Sequence, residues 1–136
     1  MEVRFHHSGG GRSAVLDWLL DLPDTELAIC IGLLRRLQRE GNQLGLPQSA
    51  PLGAGLFELR GHSDRMQLRM IYCFEKGQLC IIASGFIKQS PKTLAHELDL
   101  ARRRQAELRR DPEGCSLEVG FEDLLTRQHK RTWRRR

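Results

Sequence analysis

The sequence predicts an α+β domain with the element order β-α-α-β-β-β-α, in which an antiparallel sheet packs against a helical hairpin and a C-terminal helix. Three observations predict this class. Apolar residues recur at helical spacing in two adjacent stretches near the N-terminus, they alternate with polar residues in the middle of the chain, and a long helical stretch follows. The 136 residues, 40% of them apolar, suffice for one domain with a modest core.

The N-terminal segment contains the first strand and the helical hairpin. Val3 and Phe5 alternate with polar side chains, which predicts a short strand before a Gly-rich run. Ser13 is a candidate N-cap for a first helix, and Pro23-Asp24 ends that helix and begins a second one, which stops at Gly41. The apolar stripes of the two helices are Val15, Trp18, Leu19 and Leu22, and Leu27, Cys30, Ile31, Leu34 and Leu37.

The central segment contains the predicted antiparallel strands. Residues 42–55 are rich in Gly, Pro, Gln and Ser and are expected to form a loop, and strands follow over residues 56–60, 66–75 and 78–86. A two-residue turn would fix the register of the last two strands, with Cys73 opposite Cys80, Arg69 opposite Ser84, Gln67 opposite Phe86, and Lys88 opposite Arg65. The Arg69 face then changes from apolar near the turn to cationic at the other end. This change indicates either a binding patch or a solvated strand end.

The C-terminal third contains a basic helix and an extension. A helix is predicted over residues 94–110, and we expect residues 1–110 to form the domain. Residues 111–136 are expected to form a basic extension, part of it either a short helix over 117–128 or disordered. Residues 1–100 contain as many acidic as basic side chains, so the whole net charge of +5 comes from residues 101–136. This charge favours a polyanionic partner, although a solvated helix face also explains it.

Composition excludes a membrane-spanning protein and favours the cytoplasm. The longest apolar runs, such as Leu79–Ala83, are far shorter than the roughly 18–20 residues that cross a bilayer, and no apolar signal-peptide region is present near the N-terminus. The four cysteines show neither CxxC spacing nor a histidine at ligand spacing, so no metal site is expected. We therefore expect Cys73 and Cys80 to be reduced, partly buried thiols.

Three runs of the sequence carry a family resemblance: GLFELR at Gly55–Arg60, LRMIYCF at Leu68–Phe74 and GFIKQSPKT at Gly85–Thr93. Together with the Leu-Pro-Asp break between the helices and the LGLP loop at Leu44–Pro47, they make residues 1–110 resemble the RelE/ParE toxin superfamily. Within it, the chain is similar to the HigB-like, phage-derived branch. The resemblance implies a compact RelE-like fold and the toxin role in a type II toxin-antitoxin system.

The resemblance also implies an activity and partners. Such toxins are ribosome-dependent endoribonucleases, or mRNA interferases, that block translation and need no metal or other cofactor. The expected partners are mRNA, the 16S rRNA of the ribosome, and a cognate antitoxin with a helix-turn-helix DNA-binding fold. No membrane partner is expected, and the sequence does not give the oligomeric state.

Four basic residues match the catalytic positions of the family: Arg60, Arg69, Lys88 and Lys92. Cleavage requires the ribose 2'-hydroxyl to lose a proton and attack the adjacent phosphate in line, so cations must stabilise the phosphorane. Arginine suits bidentate phosphate contact, and a lysine crowded by positive charge can transfer a proton. Arg69 is the first choice for phosphate stabilisation, with pairing to Glu58 or Asp64 as the alternative. Lys88 and Lys92 are candidates for contact with the transition state or for proton transfer, and the alternative for each is a solvated loop lysine.

Acid and base roles are less specific in the sequence. Glu58 is either a general base or the salt partner that holds Arg60 in place. His96 is a second candidate for orienting or proton transfer, and so is His62 in the inter-strand loop, but both are also explained as exposed structural histidines. Other RelE-like enzymes carry several lysines on the first strand after the helices, where this chain has Phe57 and Glu58. The family's acid and base assignments therefore do not transfer directly.

Three further residues are candidates for RNA binding. Phe86 shares the Arg69 face and is expected to stack on a base, whereas Tyr72 alternates onto the apolar face and is expected in the core. Arg102 and Arg103 lie on the Arg-rich last helix and are candidates for phosphate contact, although their place near the helix C-terminus also suits the helix dipole.

Two alternative functions stay open. One is a ParE-like toxin that inhibits DNA gyrase by binding, and the other is a non-enzymatic RNA-binding protein that uses the basic tail. The four basic residues at the family's positions favour RNA cleavage, because a gyrase inhibitor needs no phosphate site on the sheet.

Overall fold

The computed structural model describes residues 1–76 and 78–126, which form one mixed sheet with helices on both faces. In chain order the elements are β1 (Glu2–His6), α1 (Ala14–Asp21), α2 (Asp24–Glu40), β2 (Ser49–Gly53), β3 (Leu56–His62), β4 (Gln67–Glu75), β5 (Leu79–Ile87), α3 (Pro91–Arg110), β6 (Ser116–Leu117) and α4 (Phe121–Thr126), with a 3-10 turn at Gly41–Gln43. The strands lie in the order β2-β3-β4-β5-β1-β6.

The sheet separates two apolar clusters. The larger cluster lies under α1 and α2 and includes Phe5 and Leu34, and α4 adds Leu124 to it. The smaller cluster lies under α3 and includes Ile71 and Leu108. The predicted α+β class is therefore confirmed, and the helical hairpin and α3 cover opposite faces of the sheet.

The helix ends follow the local sequence. Ser13 caps α1 by accepting a hydrogen bond from the backbone N–H of Leu16 at 3.2 Å, as predicted. Gly41 ends α2 with a φ of +54°, a conformation that glycine adopts without strain. The last helix begins at Pro91, three residues before its predicted start, because Ser90 caps it and proline suits the first helical turn.

The sheet differs from the predicted antiparallel arrangement in three strands. β1 lies beside β5 in parallel orientation, so the sheet is mixed. Within the predicted loop, β2 forms an antiparallel edge strand on β3, where Pro51 is tolerated because an edge strand need not donate every ladder hydrogen bond. β6 pairs with only the last two residues of β1. β2 lacks alternation and β6 has only two residues, so long-range pairing rather than local pattern defines these two strands.

The β4–β5 hairpin has a longer turn than the predicted Lys76-Gly77. Glu75 pairs with Leu79, so three residues separate the strands, and Gln78 has a left-handed φ of +63°. The predicted register is therefore wrong by one residue at the turn. A one-residue shift moves each side chain of one strand to the other face relative to its predicted partner.

The register places the two predicted hairpin thiols apart. Cys73 lies opposite Ile81, and Cys80 lies opposite Phe74. Cys73 belongs to the cluster under α3, whereas Cys80 belongs to the cluster under α1 and α2. Both are buried free thiols, and burial raises the pKa of Cys73 to about 12. The predicted pairing is therefore wrong, and both thiols are buried completely where partial burial was predicted.

A bulge in β5 changes the register a second time. The shift lies at the step from Ile71 to Tyr72, and Ala83 is the extra residue on β5. Arg69 consequently lies opposite Phe86. The predicted pairings of Arg69 with Ser84, Gln67 with Phe86, and Lys88 with Arg65 are wrong for this reason. The two shifts together nevertheless place Phe86 on the face of Arg69, as predicted.

Polar contacts attach α3 to the bulge. The Arg104 Nη1 donates to the carbonyl of Ala83 at 2.6 Å, and the buried Ser84 hydroxyl donates to Glu97 at 2.9 Å. A bulge interrupts the ladder, so its carbonyl needs another partner. The basic helix thus contributes Arg104 to the structure of the sheet, and burial lowers the pKa of this arginine.

The described part of the C-terminal extension packs on the same body. β6 adds to the sheet, and Val119 and Leu124 are buried in the larger cluster. Helix α4 lies within the predicted range 117–128, whereas residues 127–136 of the predicted basic extension fall outside the described residues. Among the helices described, none is long and apolar enough to cross a membrane.

Acidification is expected to weaken the packing of β1 against α3. His6 is 4% exposed, and its Nε2 lies 3.3 Å from the Glu107 carboxylate. Burial lowers the pKa of His6 below 6.5, and Arg104 and His7 add to this lowering, which together outweigh the attraction of Glu107. His6 therefore binds a proton more readily in the unfolded chain than in the folded protein. The contribution of the uncharged His6 to the free energy of unfolding should therefore be complete above pH 6.5, and the protein should lose stability as the pH falls below that value.

This prediction is checked by urea denaturation from about pH 7.5 to about pH 5.5. The variant His6→Gln keeps a polar side chain and removes the titration, so its stability should change less over this range than that of the wild type. An equal pH dependence in the two proteins would contradict the role of His6.

Candidate functional site

A depression of about 420 Å³ lies where β3 and β4 approach their connecting loop. Its lining combines two arginines with three other polar side chains, a proline and a glycine: Arg60, Arg69, Gln48, His62, Gln67, Pro47 and Gly61. The sequence predicted a cationic patch at this end of the sheet, and the structure places both motif arginines in it.

Strand pairing brings the two arginines together. Arg60 on β3 lies directly opposite Arg69 on β4. Like charges in this position repel each other, so the pair requires a compensating anion. Glu58, two residues before Arg60, lies on the same face and is 1% exposed. Its Oε1 accepts a hydrogen bond from the Arg60 Nε at 2.8 Å, and its Oε2 lies 3.6 Å from the Arg69 Nε.

Most hydrogen-bond donors of Arg69 are occupied within the protein. Its Nη1 donates to the carbonyls of Gly61 and Leu68 at 3.2 and 3.0 Å, and its Nη2 donates to the Gln67 Oε1 at 2.9 Å. The Arg69 side chain is 11% exposed. Burial lowers the pKa of its guanidinium, the Glu58 carboxylate opposes this, and Arg60 adds to it. Arg69 is the residue that the sequence favours for phosphate contact, but most of its donors bind acceptors at the ends of β3 and β4.

The guanidinium of Arg60 is more exposed than that of Arg69 and can bind a ligand. The Arg60 side chain is 41% exposed, and its Nε donates to Glu58. Among the described residues, no partner accepts from its Nη1 or Nη2. These two nitrogens form the planar fork that binds a carboxylate or a phosphate with two parallel hydrogen bonds.

The two candidate lysines lie at different distances along the chain from this depression. The backbone N–H of Lys88 donates to the carbonyl of Gln67 at 2.8 Å, so Lys88 continues the β5 edge beside a lining residue, and it is half-buried. Lys92 is exposed in the first turn of α3. Within residues 1–76 and 78–126, neither lysine forms an ion pair. The structure therefore joins Lys88 to the site through its backbone and leaves Lys92 on the neighbouring helix.

The remaining α3 candidates are exposed. His96 follows Lys92 by four residues, and Arg103 is solvated, whereas Arg102 lies 4.0 Å from Asp99 one turn earlier. In the described part of the chain, none of these side chains hydrogen-bonds to the lining of the depression. No three His, Cys, Asp or Glu side chains in that part come together as a metal site.

The two aromatic candidates are both buried. Tyr72 is 1% exposed, and its hydroxyl shares a hydrogen bond with Ser49, which confirms its place in the core. Phe86 is 4% exposed and packs with Leu94 and Leu98 under α3. Its predicted role in base stacking disagrees with this position, because the face that it shares with Arg69 is covered by α3 at this point.

The sequence places one of the two glutamines of the lining, Gln67, at the polar end of the Arg69 face, but it does not single out Gln48. Gln48 falls in the segment predicted as a loop, and its carbonyl accepts from the Arg60 N–H at 2.7 Å. Without the β2–β3 pairing, no local signal places it there. Gln67 is predictable, because alternation puts it on the face of Arg69.

Comparison with models of protein families identifies the family of this chain. The family of phage-derived Gp49-like proteins (DUF891) matches residues 17–106. The chain belongs to this family. The Gp49-like match runs from α1 into α3 and includes Glu58, Arg60 and Arg69, while β1, β6 and α4 lie outside it. The Gp49-like family is associated with RelE-type toxins, which agrees with the superfamily predicted from the motifs. A comparison with curated proteins finds no match.

Proposed function

We propose that this Gp49-like protein is the toxin of a type II toxin-antitoxin system, a HigB-like member of the RelE/ParE superfamily that cleaves mRNA on the ribosome. The observation that carries the proposal is the fork of Arg60, unoccupied in the described residues and fixed at its Nε by buried Glu58. Such a fork suits one phosphate group of an RNA backbone. The Gp49-like family membership supports the toxin class.

The reaction proposed for this site is a transesterification at a phosphodiester. The ribose 2'-oxygen loses its proton and bonds to the adjacent phosphorus, and the bond to the 5'-oxygen breaks as that oxygen takes up a proton. The products are a 2',3'-cyclic phosphate and a 5'-hydroxyl. Arg60 stabilises the added negative charge of the phosphorane, and Lys88, whose backbone binds the lining residue Gln67, is the second cation of the proposal.

In this proposal, histidine and lysine side chains in or near the depression transfer the protons. Glu58 acts as the salt partner rather than the base, because it is 1% exposed and already accepts from Arg60. His62 lines the depression and is the candidate that a bound nucleotide meets first. Lys92 and His96 take part if the RNA continues from the depression toward α3.

The partners follow from the same proposal. The mRNA and the 16S rRNA are polyanions that the exposed face of α3, with Arg102 and Arg103, can contact by phosphate neutralisation. A cognate antitoxin, with a helix-turn-helix DNA-binding fold, would neutralise the toxin by covering the depression. The site of action is the cytoplasm.

Cell expression with mapping of transcript 5'-ends tests this proposal. Wild type and Arg39→Ala should arrest growth and produce cleavage within translated codons, because Arg39 is an exposed arginine of α2, on the other face of the sheet. Arg60→Ala should reduce cleavage by about 100-fold, since it removes a charge from the transition state.

The alternatives appear as different outcomes. Growth arrest without new 5'-ends, accompanied by loss of DNA supercoiling, would favour a ParE-like gyrase inhibitor and overturn the proposal. RNA binding without cleavage that disappears on deletion of residues 127–136 would favour a non-enzymatic RNA-binding protein. The deletion begins at residue 127 because β6 and α4 before it are part of the fold.

A further inference from the structure

The two arginines of the depression have opposite surroundings, although the motif presents them as equivalent. Arg69 is 11% exposed on its side chain, and three acceptors hold its terminal nitrogens. Arg60 is 41% exposed on its side chain, and one acceptor holds its Nε. A guanidinium has five N–H donors, so contacts within the described part of the chain leave Arg69 one terminal N–H for a ligand and leave Arg60 four.

Glu58 connects the two guanidinium groups. Its Oε2 is buried and lies 3.6 Å from the Arg69 Nε, and neither atom has a hydrogen-bond partner among the described residues. The contact is therefore an ion pair at the edge of hydrogen-bonding range. A buried carboxylate is stable only beside a compensating charge. The fixed guanidinium of Arg69 thus keeps Glu58 in the position from which Glu58 holds the Arg60 Nε.

We infer that Arg60 is the phosphate-binding arginine of this site and that Arg69 is a positioning residue, which acts through Glu58 on the orientation of the Arg60 fork. Gln67 completes the arrangement, because its Oε1 holds the Arg69 Nη2 while its carbonyl receives the N–H of Lys88. This inference rests on the proposed function only in taking an RNA phosphate as the natural ligand. The division between the two arginines is a property of the folded protein.

Identical substitutions at the two positions should therefore have unequal effects. Lysine keeps the positive charge and loses the planar fork. Arg60→Lys should weaken the binding of inorganic phosphate by about tenfold, because a charge-assisted hydrogen bond is lost. Arg69→Lys should weaken it by about twofold or less, because an ammonium next to Glu58 still compensates the buried carboxylate. Arg39→Lys is the matched control on α2 and should bind as the wild type does.

The experiment is a titration of the purified full chain with inorganic phosphate, followed by the NMR signals of the arginine Nε–H groups. In the wild type, the signal of Arg60 should shift with phosphate while that of Arg69 stays in place. This reading requires no variant, so a variant that fails to fold does not remove the test. A shift of Arg69 as large as that of Arg60, or equal losses in Arg60→Lys and Arg69→Lys, would overturn the inference.

The outcome is independent of the proposed activity. If the protein binds phosphate at Arg60 and yet cleaves no RNA in cells, the ribonuclease proposal fails and the division of roles stands. If it cleaves RNA and phosphate shifts the Arg69 signal, the division of roles fails and the ribonuclease proposal stands. An absence of any phosphate-dependent shift at Arg60 overturns the inference as well.

Discussion

Replacing Glu58 with alanine is expected to lower the free energy of unfolding by about 3–5 kcal/mol. The carboxylate is 1% exposed and stands between two guanidinium groups that pair across β3 and β4. Without it, the buried charge of Arg69 has no counter-charge, and Arg60 directly opposite repels it. Because Arg60 is partly exposed and hydrated, most of the cost comes from Arg69. Urea denaturation of wild type and Glu58→Ala measures the difference.

A double variant separates the missing carboxylate from the uncompensated charge. Glu58→Leu combined with Arg69→Met replaces the buried ion pair with apolar side chains of similar volume, so no buried charge is left unpaired. The double variant should recover most of the stability that Glu58→Leu alone loses, which a double-mutant cycle measures as a coupling energy. A loss below about 1 kcal/mol in Glu58→Ala would show that the pair is solvated like an ordinary surface ion pair.

Local patterns predict the helices of this fold and most of its strands. Ser13 and Gly41 delimit the helical hairpin because capping and glycine termination depend on only a few neighbouring residues. The alternation along β4 likewise separates Tyr72, on the hairpin side, from Ile71, on the α3 side. These features require no knowledge of which strands are neighbours.

Features that depend on distant partners were not predictable. The parallel pairing of β1 with β5 leaves no signal in Val3 or Phe5, whose alternation fits either direction. The β2 strand contains Pro51 and exists because β3 accepts it at the edge of the sheet. The extra residue Ala83 is stabilised by Arg104, which lies on a helix that begins after the strand has ended.

The candidate site also has features that the local sequence predicts and features that depend on distant residues. The motif identifies Arg60 and Arg69, and strand pairing then brings them together. Their different burial depends on the acceptors around each guanidinium, such as the Gly61 carbonyl, which no residue pattern encodes. Phe86 was assigned to the correct face, but the sequence could not show that α3 covers that part of the sheet.

Replacing Gly85 with alanine is expected to destabilise the protein by about 1–3 kcal/mol, because overpacking displaces a large side chain. A Cβ atom at Gly85 would lie 2.4 Å from the Trp18 ring, which α1 packs against β5. The indole must move away, and its shift would disturb the packing between the helical hairpin and the strand that leads toward Lys88. Thermal and urea unfolding of Gly85→Ala measure the loss.

The same substitution elsewhere in the chain provides the control. Gly32 is exposed in the middle of α2, and a Cβ there would meet nothing within 4 Å. Gly32→Ala should therefore stabilise the protein by about 0.5–1 kcal/mol, because alanine loses less conformational entropy in a helix. Opposite signs for the two variants would show that the contact with Trp18 requires glycine at residue 85. A stability gain in Gly85→Ala would contradict the close approach of α1 to β5.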